Sequence, residues 1–340
     1  MKRGFSTEFS QRKIKIFGSV LIYILLLAIL LFLVWKDANP ENKTAFGSLE
    51  GRFLSDVVMM HDGETYYYRE NEITNYLVIG SDRERADKDA GYQNGAQADF
   101  LALLSVDRIS RTITPVMLDR NTMTPVQTFD MYGHPSDKRV MQLHLAQTYS
   151  GEDTSGSVNT AKAVEELFYG VKIDRCITVD LAAVSLLNDA IGGVEVTLED
   201  DFTAYDPSFV KGATVRLNGE QAMCFMRGER TAADGTSASG MMCQQQYMRI
   251  FLTQLRQKSK KDTKLLTGLM NVVSEYMQSD TSPLMLLRDV RRYKEYLWQP
   301  ILTPEGSYTN DEFGFAEFWV NDIALQEFVL EIWFVKAEQS

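Results

Sequence analysis

The stretch RCITVDLAAVSLLNDAIGGVEVTL, residues 175–198, decides the fold. RCITVDL reads as a strand, AAVSLLNDAIGG as a helix closed by glycine, and VEVTL as a further strand. Upstream, NYLVIGSD is an apolar run stopped by Gly-Ser-Asp, as in a buried strand that ends in a loop. FLALLSVD and TITPVML read as two more strands joined by a turn near DRISR. KRVMQLHLAQTY and NTAKAVEELFYG carry helical spacing, the second starting with capping residues and ending on Gly170. Asn218 can cap a helix over GEQAMCFMR, and CQQQYMRIFLTQL continues the helical pattern. TKLLTGLMNVVSEYM, PLMLLRDVRRYKEYL and DIALQEFVLEIWFV predict a helical C-terminal part. Strands alternating with helices imply an α/β fold: a central mixed sheet flanked by helices on both faces.

Composition narrows the function classes. A net charge of −11 over 340 residues argues against a general nucleic-acid binder, which needs dense Lys/Arg surfaces. Cys176, Cys224 and Cys243 lie far apart, odd in number and without metal spacing, so buried free thiols are expected. His61, His134 and His144 show no ligand spacing either, and GTSASG lacks the strand-to-helix setting of a serine nucleophile.

Residues 16–35 hold no charge and as a helix would span roughly 30 Å, the hydrocarbon thickness of a bilayer. Lys2, Arg3, Arg12, Lys13 and Lys15 precede this run, which predicts a cytoplasmic N-terminus and an external main domain. A cleaved signal peptide is the alternative, but no small-x-small site follows closely. The expected organisation is a tail at 1–15, a membrane helix at 16–35, and a juxtamembrane linker with a short helix or hairpin at 36–72. The main domain follows at 73–258, with a helical part packed on it at 259–340.

In α/β sheets functional groups gather at strand ends. Asp82 follows LVIG, Asp99 precedes FLALLSV, and Arg120 follows TPVML. Arg227 and Arg230 in MRGER and the glutamines 244–246 complete the set. Singly, each has a bland reading as a turn cap, a solvated helix end or an exposed helix face. Together, carboxylates suit Mg²⁺ and arginine forks bind phosphate oxygens, which describes a phosphate or pyrophosphate site.

The order of YLVIGSD, ADFLALLSVD, LDRNT, IGGVEV and LNGEQAMCFMRGER resembles the LytR-CpsA-Psr family over roughly residues 73–258. The most specific segments, IGGVEV and LNGEQAMCFMR, are similar to the family's GGVEV and LNGEQALAYVR. The resemblance implies a membrane-anchored domain of the Gram-positive envelope with a groove for a lipid tail. It also implies transfer of a glycopolymer, such as teichoic acid or capsular polysaccharide, from a polyprenyl-pyrophosphate carrier to peptidoglycan. Asp82 and Asp99 match the Mg²⁺-associated carboxylates; Arg120, with Thr122 after it, Arg227 and Gln245 match phosphate-binding positions.

Several positions depart from the family pattern. Gln97, Met241 and Gln244 stand where arginines are expected, Asp119 replaces a proline and Asn121 an acid. Glu229 takes the second arginine position of R-x-R, with Arg230 one place late. Two functions therefore follow from the resemblance: a Mg²⁺-using transferase with a thinned arginine set, or a non-catalytic polyprenyl-phosphate-binding scaffold. If missing charge is the only defect, arginine restored at 97, 241 and 244 is expected to strengthen carrier binding.

Overall fold

The computed structural model describes residues 53–55, 58–81, 96–203, 206–227, 237–262 and 264–337. The chain divides into two units, Met1–Leu49 and Glu50–Ser340, and every described residue belongs to the second. The expected membrane helix at 16–35 lies outside the described residues.

The described part of the expected linker is a meander of β1 (Phe53–Ser55), β2 (Val58–His61) and β3 (Glu64–Tyr68). Asp62 and Gly63 form its tight turn with φ of +49° and +75°, the two positive angles that an Asp-Gly hairpin supplies.

The central sheet is built from β4 (Ile73–Ser81), β5 (Ala98–Asp107) and β6 (Thr112–Met117), each antiparallel to the next. β7 (Met123–Phe129) and β8 (Pro135–Gln142) form a separate hairpin, followed by a 3-10 helix over Leu143–Thr148. The helix expected over KRVMQLHLAQTY is therefore corrected. Residues 138–142 alternate faces against β7, and only the remainder turns helical.

Next come α1 (Gly156–Leu167), β9 (Arg175–Asp180), α2 (Ala182–Ala190), β10 (Glu195–Thr197), β11 (Thr214–Arg216), α3 (Gly219–Arg227) and α4 (Ser237–Lys261). α1 starts earlier than NTAKAVEELFYG suggests: the Ser155 hydroxyl accepts from Val158 N–H, so the N-cap is Ser155.

The chain then forms α5 (Leu265–Ser274), β12 (Met277–Ser279), α6 (Pro283–Tyr293), β13 (Leu297–Trp298), β14 (Gly306–Asn310), β15 (Ala316–Val320), α7 (Asp322–Trp333) and β16 (Phe334–Lys336). The C-terminal part is thus not purely helical. β12 and β13 are the outer strands of the central sheet, whose order is β12-β9-β4-β5-β6-β13. β16 joins β3, and β14 pairs with β15. Residues 259–340 pack on the rest of the domain, Leu269 beside Ile191 and Leu286 beside Tyr76, and also share sheets with it.

β9 runs parallel to β4 and β13 parallel to β6, so the sheet is mixed. β4 and β5 are buried along nearly their whole length, which requires cover on both faces. Phe100, Ala102 and Met117 pack in one apolar cluster with Ile191, Phe225, Tyr247 and Phe251 from the α2, α3 and α4 region. Elsewhere Trp333, fully buried, lies tilted against Phe168 at 5.2 Å and donates its indole N–H to Asn75 Oδ1 at 2.9 Å. Asn75 in turn donates to Lys172 O at 2.9 Å, so this interior polar group is satisfied.

IGGVEV has a physical explanation. Gly192 and Gly193 adopt φ of +78° and +85°, which ends α2 and reverses the chain. Asn188, buried at the end of the same helix, accepts from Val194 N–H at 3.0 Å and donates to Leu217 O at 2.8 Å. One side chain therefore joins α2 to the β10–β11 pair. LNGEQ forms a reciprocal cap: Asn218 Oδ1 accepts from Gln221 N–H at 2.9 Å, and Gln221 Oε1 accepts from Asn218 N–H at 3.0 Å.

Candidate functional site

β4 and β5 carry a register shift beside their shared end. Gly80 pairs with Phe100 but Ser81 pairs with Ala98, which leaves Asp99 as the extra residue of a bulge. A bulge re-aims its side chain, and here Asp99 meets Arg120. The Arg120 guanidinium donates to the Asp99 carboxylate through Nη1 and to Gln97 Oε1 through Nη2 at 2.7 Å. Asp99 is buried and Arg120 half-buried, so this is an ion pair shielded from solvent. Gln97, at an expected arginine position, is thus a ligand of Arg120 and not a vacant phosphate contact.

Arg120 sits at the strand tip because the residues around it form a self-closing turn. Asp119 Oδ1 accepts from Asn121 N–H at 2.8 Å, and Asp119 O accepts from the Thr122 hydroxyl at 2.7 Å. His144 N–H donates to Arg120 O at 2.9 Å, and Phe318 N–H donates to Asn121 O at 2.9 Å. Tyr308 on β14 donates its hydroxyl to Asp119 Oδ2. The Asp119 side chain therefore builds the turn and docks the β14–β15 hairpin against it, with Asn121 contributing backbone groups. Thr122 is a turn residue, buried and bonded inward.

Gln244 is buried, and its amide donates to Asp99 O at 3.0 Å and to Met226 O at 2.8 Å. This bridge holds the end of α3, and hence Arg227, against the bulge. Gln245, the next residue, lines a cavity of about 820 Å³ that extends along α4. The structure thus brings Asp99, Arg120 and the Arg227 helix end to one region, with Gln245 at the mouth of an adjoining groove. Asp82, Arg230 and Glu229 lie outside the described residues, although Ser81 pairs with Ala98 and places the end of β4 beside Asp99.

A carboxylate such as Asp99 has the hard oxygens that suit Mg²⁺, though no cluster of three metal-binding side chains occurs among the described residues. The thiols take no part: burial pushes Cys176 and Cys243 up to about 12, which leaves them protonated and inert. Gln97 and Asp119 entered the sequence reading only as departures, and Tyr308 not at all. Each acts through a partner distant in sequence, and no local pattern signals it.

An arginine and a carboxylate thus meet at strand ends of a mixed sheet, with a long groove along α4. The LytR_cpsA_psr family model matches residues 43–320, and the chain belongs to that family. A teichoic acid–peptidoglycan transferase TagU of Bacillus mycoides is 29% identical over 164 residues, covering 48% of this chain and 47% of that protein. Biofilm regulatory protein A of Streptococcus mutans is 22% identical over 166 residues, covering 47% and 38%. The chain matches less than half the length of each of these curated relatives. Among solved structures, gbs0355 of Streptococcus agalactiae aligns with TM-score 0.61 and 16% identity over 77% of this chain and 88% of that one. TagV of B. subtilis aligns with TM-score 0.58 and 18% identity over 76% and 96%. These likenesses show a mixed α/β fold.

Proposed function

We propose that this protein is a membrane-anchored transferase that moves a glycopolymer from a polyprenyl-pyrophosphate carrier to peptidoglycan. The observation that carries the reading is the Asp99–Arg120 pair, presented by a bulge and a strand tip at one end of the central sheet. Family membership and the TagU relatives, named as teichoic acid–peptidoglycan transferases, support it.

In the reaction an acceptor hydroxyl of peptidoglycan attacks the phosphorus that carries the glycopolymer. A new P–O bond forms, the pyrophosphate bridge breaks, and polyprenyl phosphate leaves; the hydroxyl proton passes to solvent or a nearby base. Arg120 exchanges its pairing with Asp99 for the phosphate oxygens, and Arg227, Arg230 and Gln245 bind the remainder. Mg²⁺ held by Asp82 and Asp99 would neutralise developing negative charge on the phosphates. The main domain lies outside the cell, anchored by residues 16–35, with helices covering the sheet on both faces.

The test is transfer itself. Full-length protein in detergent is incubated with a polyprenyl-pyrophosphate-linked oligosaccharide and peptidoglycan. Peptidoglycan-bound sugar and released polyprenyl phosphate are then measured. Arg120→Ala is expected to lower the rate by about 10²- to 10³-fold, as for loss of one preorganised charge-stabilising group. Carrier binding without transfer by the wild type would instead identify a non-catalytic scaffold.

A further inference from the structure

The groove that begins at Gln245 continues along one face of α4. Gln245, Arg249, Arg256 and Lys260 form one wall, and Trp298 and Ile301 contribute to the other. Arg249 and Arg256 are seven residues apart and Lys260 follows four later, so helical geometry places them about 10 Å and about 6 Å apart along the axis. Glu199 is the one carboxylate of this lining, in a chain whose net charge is −11. None of the three cations makes an ion pair among the described residues. Arg256 Nε is buried and donates to no acceptor among those residues.

We propose that this groove holds the repeating, phosphate-bearing part of the glycopolymer downstream of the reacting pyrophosphate. The inference rests on the transferase reading and deepens it. A purely apolar lipid tail laid here would leave the buried Arg256 Nε without an acceptor. A flexible polyanion supplies acceptors at intervals along the wall, while sugar faces rest on Trp298 and Ile301. From Gln245 to Lys260 the helix rises about 22 Å, long enough to hold several repeat units at once. The groove therefore favours long polymers over single repeats, through contacts that add along the strand.

The probe is a lipid-free oligo(glycerol phosphate), compared with single glycerol phosphate, a neutral dextran oligomer and polyprenyl phosphate. Binding to the full-length chain is read by calorimetry at two salt concentrations. The triple variant Arg249→Gln, Arg256→Gln, Lys260→Gln is expected to weaken the oligomer by about tenfold or more, through lost charge-assisted contacts. Its binding of single glycerol phosphate should hardly change. Wild-type affinity for the oligomer should fall with salt, and Arg120→Ala should leave it nearly unchanged. Lys260→Gln alone, at an exposed position, gives a partial loss in a chain certain to keep its fold if melting is unaltered. Unchanged oligomer binding by the triple variant would overturn the proposal, as would equal binding of neutral dextran or displacement of the oligomer by polyprenyl phosphate. Groove-dependent binding without any transfer would uphold the groove and overturn the transferase reading; transfer with no groove dependence would do the reverse.

Discussion

Replacing Tyr308 with phenylalanine isolates one hydroxyl. The ring that remains keeps its contact with Phe318, whose centroid lies 5.0 Å away. What disappears is the hydrogen bond to Asp119 Oδ2. Asp119 is 3% exposed, so water cannot freely replace the lost donor. A hydrogen bond to a charged group contributes about 1.5–3 kcal/mol, and a buried acceptor left short of a donor falls in the same range. We expect Tyr308→Phe to cost about 2 kcal/mol, which for a domain of this size lowers Tm by about 4 °C. The hairpin should stay docked, because Phe318 N–H still donates to Asn121 O. Since Asp119 shapes the turn that presents Arg120, transfer should slow as well, with KM for the carrier little changed. Urea unfolding gives the stability change, and a cycle with Asp119→Asn gives the coupling between the two side chains. A stability loss below about 0.5 kcal/mol with normal transfer would refute the argument, as it would match an ordinary surface substitution.

Gln244→Leu should cost about 2 kcal/mol or more, since Asp99 O and Met226 O both lose their donor inside the protein; denaturant unfolding checks this, and a neutral result would show that the bridge is dispensable. Asn218→Ala removes the cap of α3 and should cost about 1 kcal/mol in the same assay, with Gln221→Ala adding little on top because the two act reciprocally. The third expectation concerns acid. Burial raises the Asp107 pKa, but hydrogen bonds from Ser110 and Arg69 outweigh it and hold the carboxyl below its ordinary range. A depressed folded pKa stabilises the protein above the unfolded value and loses that contribution as pH falls through about 4 and below. Arg69→Ala should therefore flatten the fall of Tm with acidification, and an unchanged slope would remove this pair from the account.

Long apolar runs made the sheet legible. FLALLSVD and TITPVML are buried enough that their burial pattern declares them, and both are strands. KRVMQ failed because its partner is β7, and an alternating strand five residues long is indistinguishable from the start of a helix on spacing alone. β12, β13 and β16 hold three, two and three residues; they exist only through pairing with distant strands, so their own composition says nothing. Asp99 and Arg120 were legible as strand-end residues, but the bulge that turns one toward the other depends on register, which composition does not display.

Gln244 gives the thinned arginine set a structural meaning besides loss of charge. The position is buried, and an amide can donate to two carbonyls there without carrying charge into the interior. An arginine in the same place would have to turn outward toward a ligand or lose its hydration. Gln244→Arg is thus expected to break a brace before it adds a phosphate contact, which reverses the expectation drawn from the sequence. Gln97 follows the same logic, since it already engages the Arg120 guanidinium that an arginine would repel. Arg249, Arg256 and Lys260 lie further along the same helix that carries Gln244. Charge at a strand end grips one pyrophosphate; charge distributed along a helix grips a strand of polymer. In the proposed reading Arg120 therefore holds the reacting pyrophosphate, while Arg249, Arg256 and Lys260 hold the body of the polymer.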